Sequence, residues 1–227
     1  MGLVPPLFNL IIMKIWILII LALIPIITCF GHPVAANDSI SKEHNKYILG
    51  FIPSIANNIY GIAIGLIGSE AICNKPYTKY SHGLNLQIPG QGFLQVFYIF
   101  RSPFKKVYKT NQFENAIIIA DTSLKRVIHN GIILSLTGTF SEQVNGISLS
   151  GLMSLGNTIN GISINPLWNL YYRVKGLSIG VSNSSLEIKG AQIGIINKTV
   201  KLKGIQIGIW NKNEKRSLPL INWNFKD

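Results

Sequence analysis

The chain has 227 residues, enough for one sizeable domain and marginal for two. With 48% hydrophobic and 13% charged residues, and a mean hydropathy of +0.33, it is far too apolar to be a disordered chain. Twenty-one Lys and Arg against nine Asp and Glu give a net charge of +12. That charge suits anionic lipid headgroups, polysaccharide or nucleic acid in general terms, though solubility and a compositional bias toward Lys account for it as well. Ile, Val, Tyr and Phe are plentiful beside 21 Gly, which favours strands and turns, and no long stretch after residue 36 has helical periodicity.

The first predicted element is a targeting segment. Lys14 precedes an apolar run from Ile15 to Ile27, and a short polar stretch ends in Val34-Ala35-Ala36. A cation, an apolar stretch and small residues at −3 and −1 make a secretory signal over residues 1–36, with cleavage after Ala36. The run is short for a membrane span, which leaves an uncleaved anchor as the alternative. Residues 1–12 precede the basic start of the signal and are expected to lie upstream of the true start at Met13. Cys29 leaves with the signal, so the mature chain carries Cys73 alone and no internal disulfide framework. Ile26-Ile27-Thr28 before Cys29 is a poor lipidation sequence, because small residues are expected there.

Residues 37–115 form an irregular N-terminal β portion. Gly61-Ile62-Ala63-Ile64-Gly65 and Gly83-Leu84-Asn85-Leu86 are loose copies of a unit that becomes regular later. The segment from Gly90 to Thr110 breaks the pattern. Phe93 and the run Val96 to Phe100 precede Arg101, Lys105, Lys106 and Lys109, which suits a membrane-interface or partner contact. A long buried strand with a basic loop after it is the simpler account. Gly90-Gln91-Gly92 has neither the lysine nor the spacing of a phosphate loop.

From 116 to 217 the chain repeats. Gly131, Gly146, Gly161, Gly176, Gly190 and Gly204 follow one another at 15, 15, 15, 14 and 14 residues, and one step back lands on Ala116. Position +1 after each glycine is apolar (Ile132, Ile147, Ile162, Leu177, Ala191, Ile205), and so is +3 (Leu134, Leu149, Ile164, Ile179, Ile193, Ile207). Position +2 carries Ile133, then Ser148, Ser163, Ser178, Gln192 and Gln206. This alternation predicts a half-buried strand with +1 and +3 inside and +2 in solvent. Before the glycine, Leu186 and Ile188, then Val200 and Leu202, alternate with charged residues in the opposite phase. The phase change predicts a corner at each glycine, where positive φ is tolerated. Asn183, Asn197 and Asn211, seven residues on, mark a second corner as residues that accept left-handed geometry.

The predicted fold is therefore an all-β, short-coil β-solenoid-like repeat of 14–15 residues. Seven coils from Ala116 would stack over a length on the order of 30 Å. An antiparallel β-meander or small β-barrel is the competing architecture, with Ser, Gln, Gly and Asn lining a lumen. Residues 218–227, with Pro219, Trp223 and Phe225, are expected to cap the stack and protect its open edge.

The motifs Gly190-Ala-Gln-Ile-Gly-Ile-Ile-Asn197, Gly204-Ile-Gln-Ile-Gly-Ile-Trp-Asn211 and Tyr60-Gly-Ile-Ala-Ile-Gly-Leu-Ile-Gly-Ser69 resemble the uncharacterised "surface repeat-containing" proteins of spirochaetes and Bacteroidota. The closing segment Lys215 to Phe225 is similar to theirs as well. The resemblance spans most of residues 47–225, is weakest over 89–115, and implies an exported bacterial protein. It brings no catalytic residues.

Candidate sites are few. The residue before each glycine is Asn130, Asn145, Asn160, then Lys175, Lys189, Lys203. Stacked in a solenoid, the lysines make a strip for anionic partners. A solvated corner is the simpler account, because like charges one strand apart repel. The asparagines are expected to bond along the stack. His44, His82 and His129 have no ligand spacing, and the acidic residues show no recurring pair, so no catalytic, metal or cofactor site is expected and the chain is not read as an enzyme. Asn183-Ser-Ser and Asn197-Lys-Thr match a common glycosylation pattern at residues already assigned to corners. The expected role is a structural or interaction scaffold of the cell envelope, outer membrane or surface. Its suited partners are anionic envelope polymers or another envelope protein, with membrane association and no specific nucleic acid. An outer-membrane barrel serving as pore or anchor is the alternative.

Overall fold

A computed structural model describes residues 44–71, 78–91 and 126–226. The signal segment, both cysteines, Ala116, and the aromatic run with its basic tail lie outside them. Ten strands follow in chain order: β1 (Asn45–Ile52), β2 (Asn58–Gly65), β3 (Lys79–Gln87), β4 (Val127–Ser135), β5 (Gly138–Ser150), β6 (Met153–Ile164), β7 (Trp168–Ile179), β8 (Ser182–Ile193), β9 (Ile196–Lys212) and β10 (Ser217–Asn224). They lie side by side in that same order in one ten-stranded sheet. Each strand from β1 to β8 pairs parallel with the next, and the chain winds as a β-solenoid of about 8 turns. This parallel order replaces the antiparallel meander or barrel. Only β10 runs antiparallel, along β9, closing that end of the stack.

The coils are in strict register. Gly61, Gly83, Gly131, Gly146, Gly161, Gly176, Gly190 and Gly204 form one column, every member with positive φ. At Gly190 φ is 142°, and a Cβ there would collide with the carbonyl oxygen of Gly176 one coil earlier. The column thus needs glycine twice over, for conformation and for close approach of backbones. Gly131 pairs directly with Gly83, so the coil beneath Gly131 is the one led by Gly83, and the expected coil start at Ala116 lies outside the described residues.

The faces are opposite to those expected. Gln192 and Gln206 are 1% and 0% exposed, whereas Ile193 and Ile207 are 39% and 44% exposed. Ser148, Ser163 and Ser178 at +2 are buried too. Ile188 and Gln192 lie on the same side of the chain, both buried, with Gly190 between them. The glycine therefore bends the coil without turning its inner side outward, and what changes there is the chemistry of the interior, from apolar to polar. The true change of phase falls earlier: Ser185 and Leu186 are both buried, and the pairing with β9 skips Leu186 and Val200.

Two kinds of material fill the coil. Ile133, Val144, Ile159, Tyr171, Val174, Ile188 and Leu202 form an apolar cluster, and Ile52, Ala56, Ile59 and Ala63 form another near β1 and β2. Beside them runs polar packing that is paired coil to coil. Asn169 donates to Asn183, Asn183 to Asn197 and Asn197 to Asn211, each at 2.8 Å. Buried amides cost little when a copy one strand away supplies the missing partner. These asparagines do not take left-handed geometry, because Ile48 and Leu220 are the non-glycine residues with positive φ among those described. Asn183 and Asn197 instead hold the bend through their amides, donating to the carbonyls of Ile193 and Ile207 at 2.9 Å.

Candidate interaction face

The inversion of faces puts the apolar repeat on the outside. The +1 positions align across the sheet from Leu49 through Ile62, Ile132 and Leu177 to Ile205 and Trp223, and every member of that column is apolar. The +3 positions make a parallel column from Phe51 through Leu86, Leu149 and Ile193 to Ile207 and Ile221. A third row of exposed apolar side chains lies at the following bend, with Leu136, Leu167, Val181, Ile195 and Ile209. At about 4.8 Å per strand, the columns run for about 43 Å. Single exposed leucines are ordinary on a protein surface, whereas these columns join into one contiguous apolar face.

One edge of this face is the column just before the glycines. It opens with aromatic rings: Tyr47 stacks on Tyr60 with centroids 5.5 Å apart, and Tyr60 stacks on His82 at 4.8 Å. It continues in asparagine, with Asn145 donating to Asn130 and Asn160 to Asn145, both at 2.7 Å. The ladder stops at Asn160, whose Oδ1 has no partner among the described residues, and the column changes there to Lys175, Lys189 and Lys203. All three lysines are exposed and in register. Their repulsion is partly offset: Lys189 lies 3.4 Å from Glu187, which also accepts from Arg173 at 3.1 Å. Lys175, Lys189 and Lys203 thus form one column, which borders the apolar face.

A buried cluster escaped the sequence. Glu70 Oε1 meets His129 Nε2 at 2.5 Å, both side chains nearly inaccessible, and Asn85 Nδ2 lies 3.1 Å from His129 Nδ1. Gln87 donates to Asn85 at 3.2 Å. His129 stands in the inward column that holds Val144 and Ile159 in the next coils, so a polar plug replaces the apolar filling at this level. Removing one partner of such a buried pair leaves the other polar group uncompensated. Glu70 and His129 are 59 residues apart, and no local pattern joins them. Among the described residues no group of three or more His, Cys, Asp or Glu could hold a metal ion.

The fold and this face define a short-coil parallel β-solenoid with a mixed polar and apolar interior and an apolar outer wall. Comparison with protein-family models, with curated proteins and with solved structures gives no match.

Proposed function

We propose that the chain is exported and serves as a structural or interaction scaffold of the bacterial cell envelope, without catalytic activity. The observation that carries this is the wall of aligned +1 and +3 side chains, apolar from β1 to β10 and turned away from the core. A stack of identical coils offers a long, regular, rigid surface, which suits docking against another extended surface. The signal-like segment ending at Ala36 supports export. The likeness of Gly190 to Asn197 and of Gly204 to Asn211 to surface repeat-containing proteins supports a place in the envelope, as a member of that group.

Fractionation of a Gram-negative host expressing the full chain tests this. The expected result is recovery with the envelope, with a mature N-terminus at Asn37. Recovery in the cytoplasm with the first 36 residues intact would overturn it.

A further inference from the structure

We infer that the apolar wall is a lipid-docking face, which lies flat on an anionic bilayer with the lysine column at the headgroups. This rests on the envelope reading above and names its partner. With side-chain overhang the wall covers on the order of 800 Å², the area that each partner of a stable interface commonly buries.

Three features favour a bilayer over a second copy of the chain. First, the edge beside the wall carries Lys175, Lys189 and Lys203, and the chain as a whole has a net charge of +12. A second copy brings the same charge and repels, whereas an anionic leaflet offers negative headgroups and apolar depth in one plane. Second, the exposed aromatics on the wall sit toward its ends: Phe51 lies in β1, and Trp223 in β10 with the Arg216 guanidinium 4.8 Å from its ring centre. A ring with a cation over it suits the boundary between acyl chains and headgroups. Third, β2 to β9 are hydrogen-bonded on both sides within the sheet, so the wall presents side chains and no unpaired strand backbone to lipid.

The mode differs from an amphipathic helix in being preformed. The alternation places one apolar residue every second position along each strand, and the stacking repeats it every coil. No ordering of the backbone is needed on binding.

Flotation of the purified mature chain, beginning at Asn37, with vesicles tests the inference. One set is phosphatidylcholine alone and the other contains phosphatidylglycerol. The chain is expected to float with the anionic vesicles, with a blue shift of tryptophan emission, and at least about tenfold less with the neutral ones, since each basic residue near the surface contributes roughly a fivefold preference. Salt at about 1 M, where screening acts within about 3 Å, should weaken binding severalfold without abolishing it. Ile164→Ser, Ile193→Ser and Ile207→Ser combined, with an unchanged melting profile, should lose binding at least about tenfold. Lys175→Ala with Lys189→Ala should lose the preference for anionic vesicles. Equal flotation with both vesicle types, or full binding by the folded triple variant, overturns the assignment. So does a chain that stays in solution as a dimer through the same wall. Failure here with the chain still found in the envelope removes the lipid partner alone. Cytoplasmic recovery removes the envelope reading first.

Discussion

Gln206 donates from Nε2 to Oε1 of Gln192 at 2.8 Å inside the coil, and accepts in turn from Asn222 at 2.9 Å. One residue on, Ile193 and Ile207 face out. Polar inside and apolar outside is affordable only because each buried amide meets its counterpart one strand away. Gln206→Asp places a carboxylate at a fully buried site and breaks both contacts, so it should destabilise by about 3 kcal/mol or more. Ile207→Asp, at an outward position, should cost about 1 kcal/mol or less. Thermal melting of the two variants side by side checks the ranking, and the reverse order contradicts it.

The glycine column gives a second expectation. Gly190→Ala must hold a Cβ at φ 142° against the carbonyl of Gly176. A loss of about 3 kcal/mol or more is expected in urea unfolding, whereas the same replacement in an unstrained strand would raise stability by about 0.5–1 kcal/mol. A variant as stable as the parent would show that the coils are not this closely apposed.

Ile48 provides the complementary case. It occupies the glycine position of β1, opposite Gly61, with φ 73° and a side chain 81% exposed. A β-branched residue in that region is strained by roughly 1–2 kcal/mol. Ile48→Gly should relieve the strain and raise stability by about 0.5–1 kcal/mol, a shift of a few degrees in melting temperature. A fall in melting temperature would speak against the left-handed geometry.

The plug at Glu70 and His129 should behave as a unit. Glu70→Ala leaves His129 Nε2 buried without its partner, at a cost of about 2–3 kcal/mol. His129→Ala after Glu70→Ala should then cost clearly less than His129→Ala alone. A double-mutant cycle is expected to return a coupling of about 1 kcal/mol or more, and strictly additive losses would refute the contact.

Much of the fold was legible in the primary structure, for identifiable reasons. The recurrence of Gly131 through Gly204 is a local pattern and maps directly onto the glycine column. The three lysines fell into register because the period is constant. The direction of the faces was not legible by hydrophobicity alone. Alternation of Ile193 and Ile207 with Gln192 and Gln206 looks the same whichever set is inside, and the usual assumption puts isoleucine in the core. The clue was the shared phase of Ile188, Gly190 and Gln192, which makes sense only if a polar residue can be satisfied one coil away. Such satisfaction is a tertiary property. Gly131 pairs with Gly83, far more than one period earlier in the chain, and a constant spacing of 14 or 15 residues cannot show such a step. The Glu70–His129 pair belongs to the same class of contact, made between residues 59 apart in the chain.

The most direct measurement is thiol accessibility in the folded protein. Single cysteines are introduced at positions 192, 193, 206 and 207 in a background with Cys29 and Cys73 replaced by serine, and their reaction with a polar maleimide in detergent-free buffer is timed. Rapid labelling of Ile193→Cys and Ile207→Cys, with Gln192→Cys and Gln206→Cys protected until the chain unfolds, is the predicted result. Protection at 193 and 207 with rapid labelling at 192 and 206, in the monomer, would contradict the apolar-outside coil on which the rest depends.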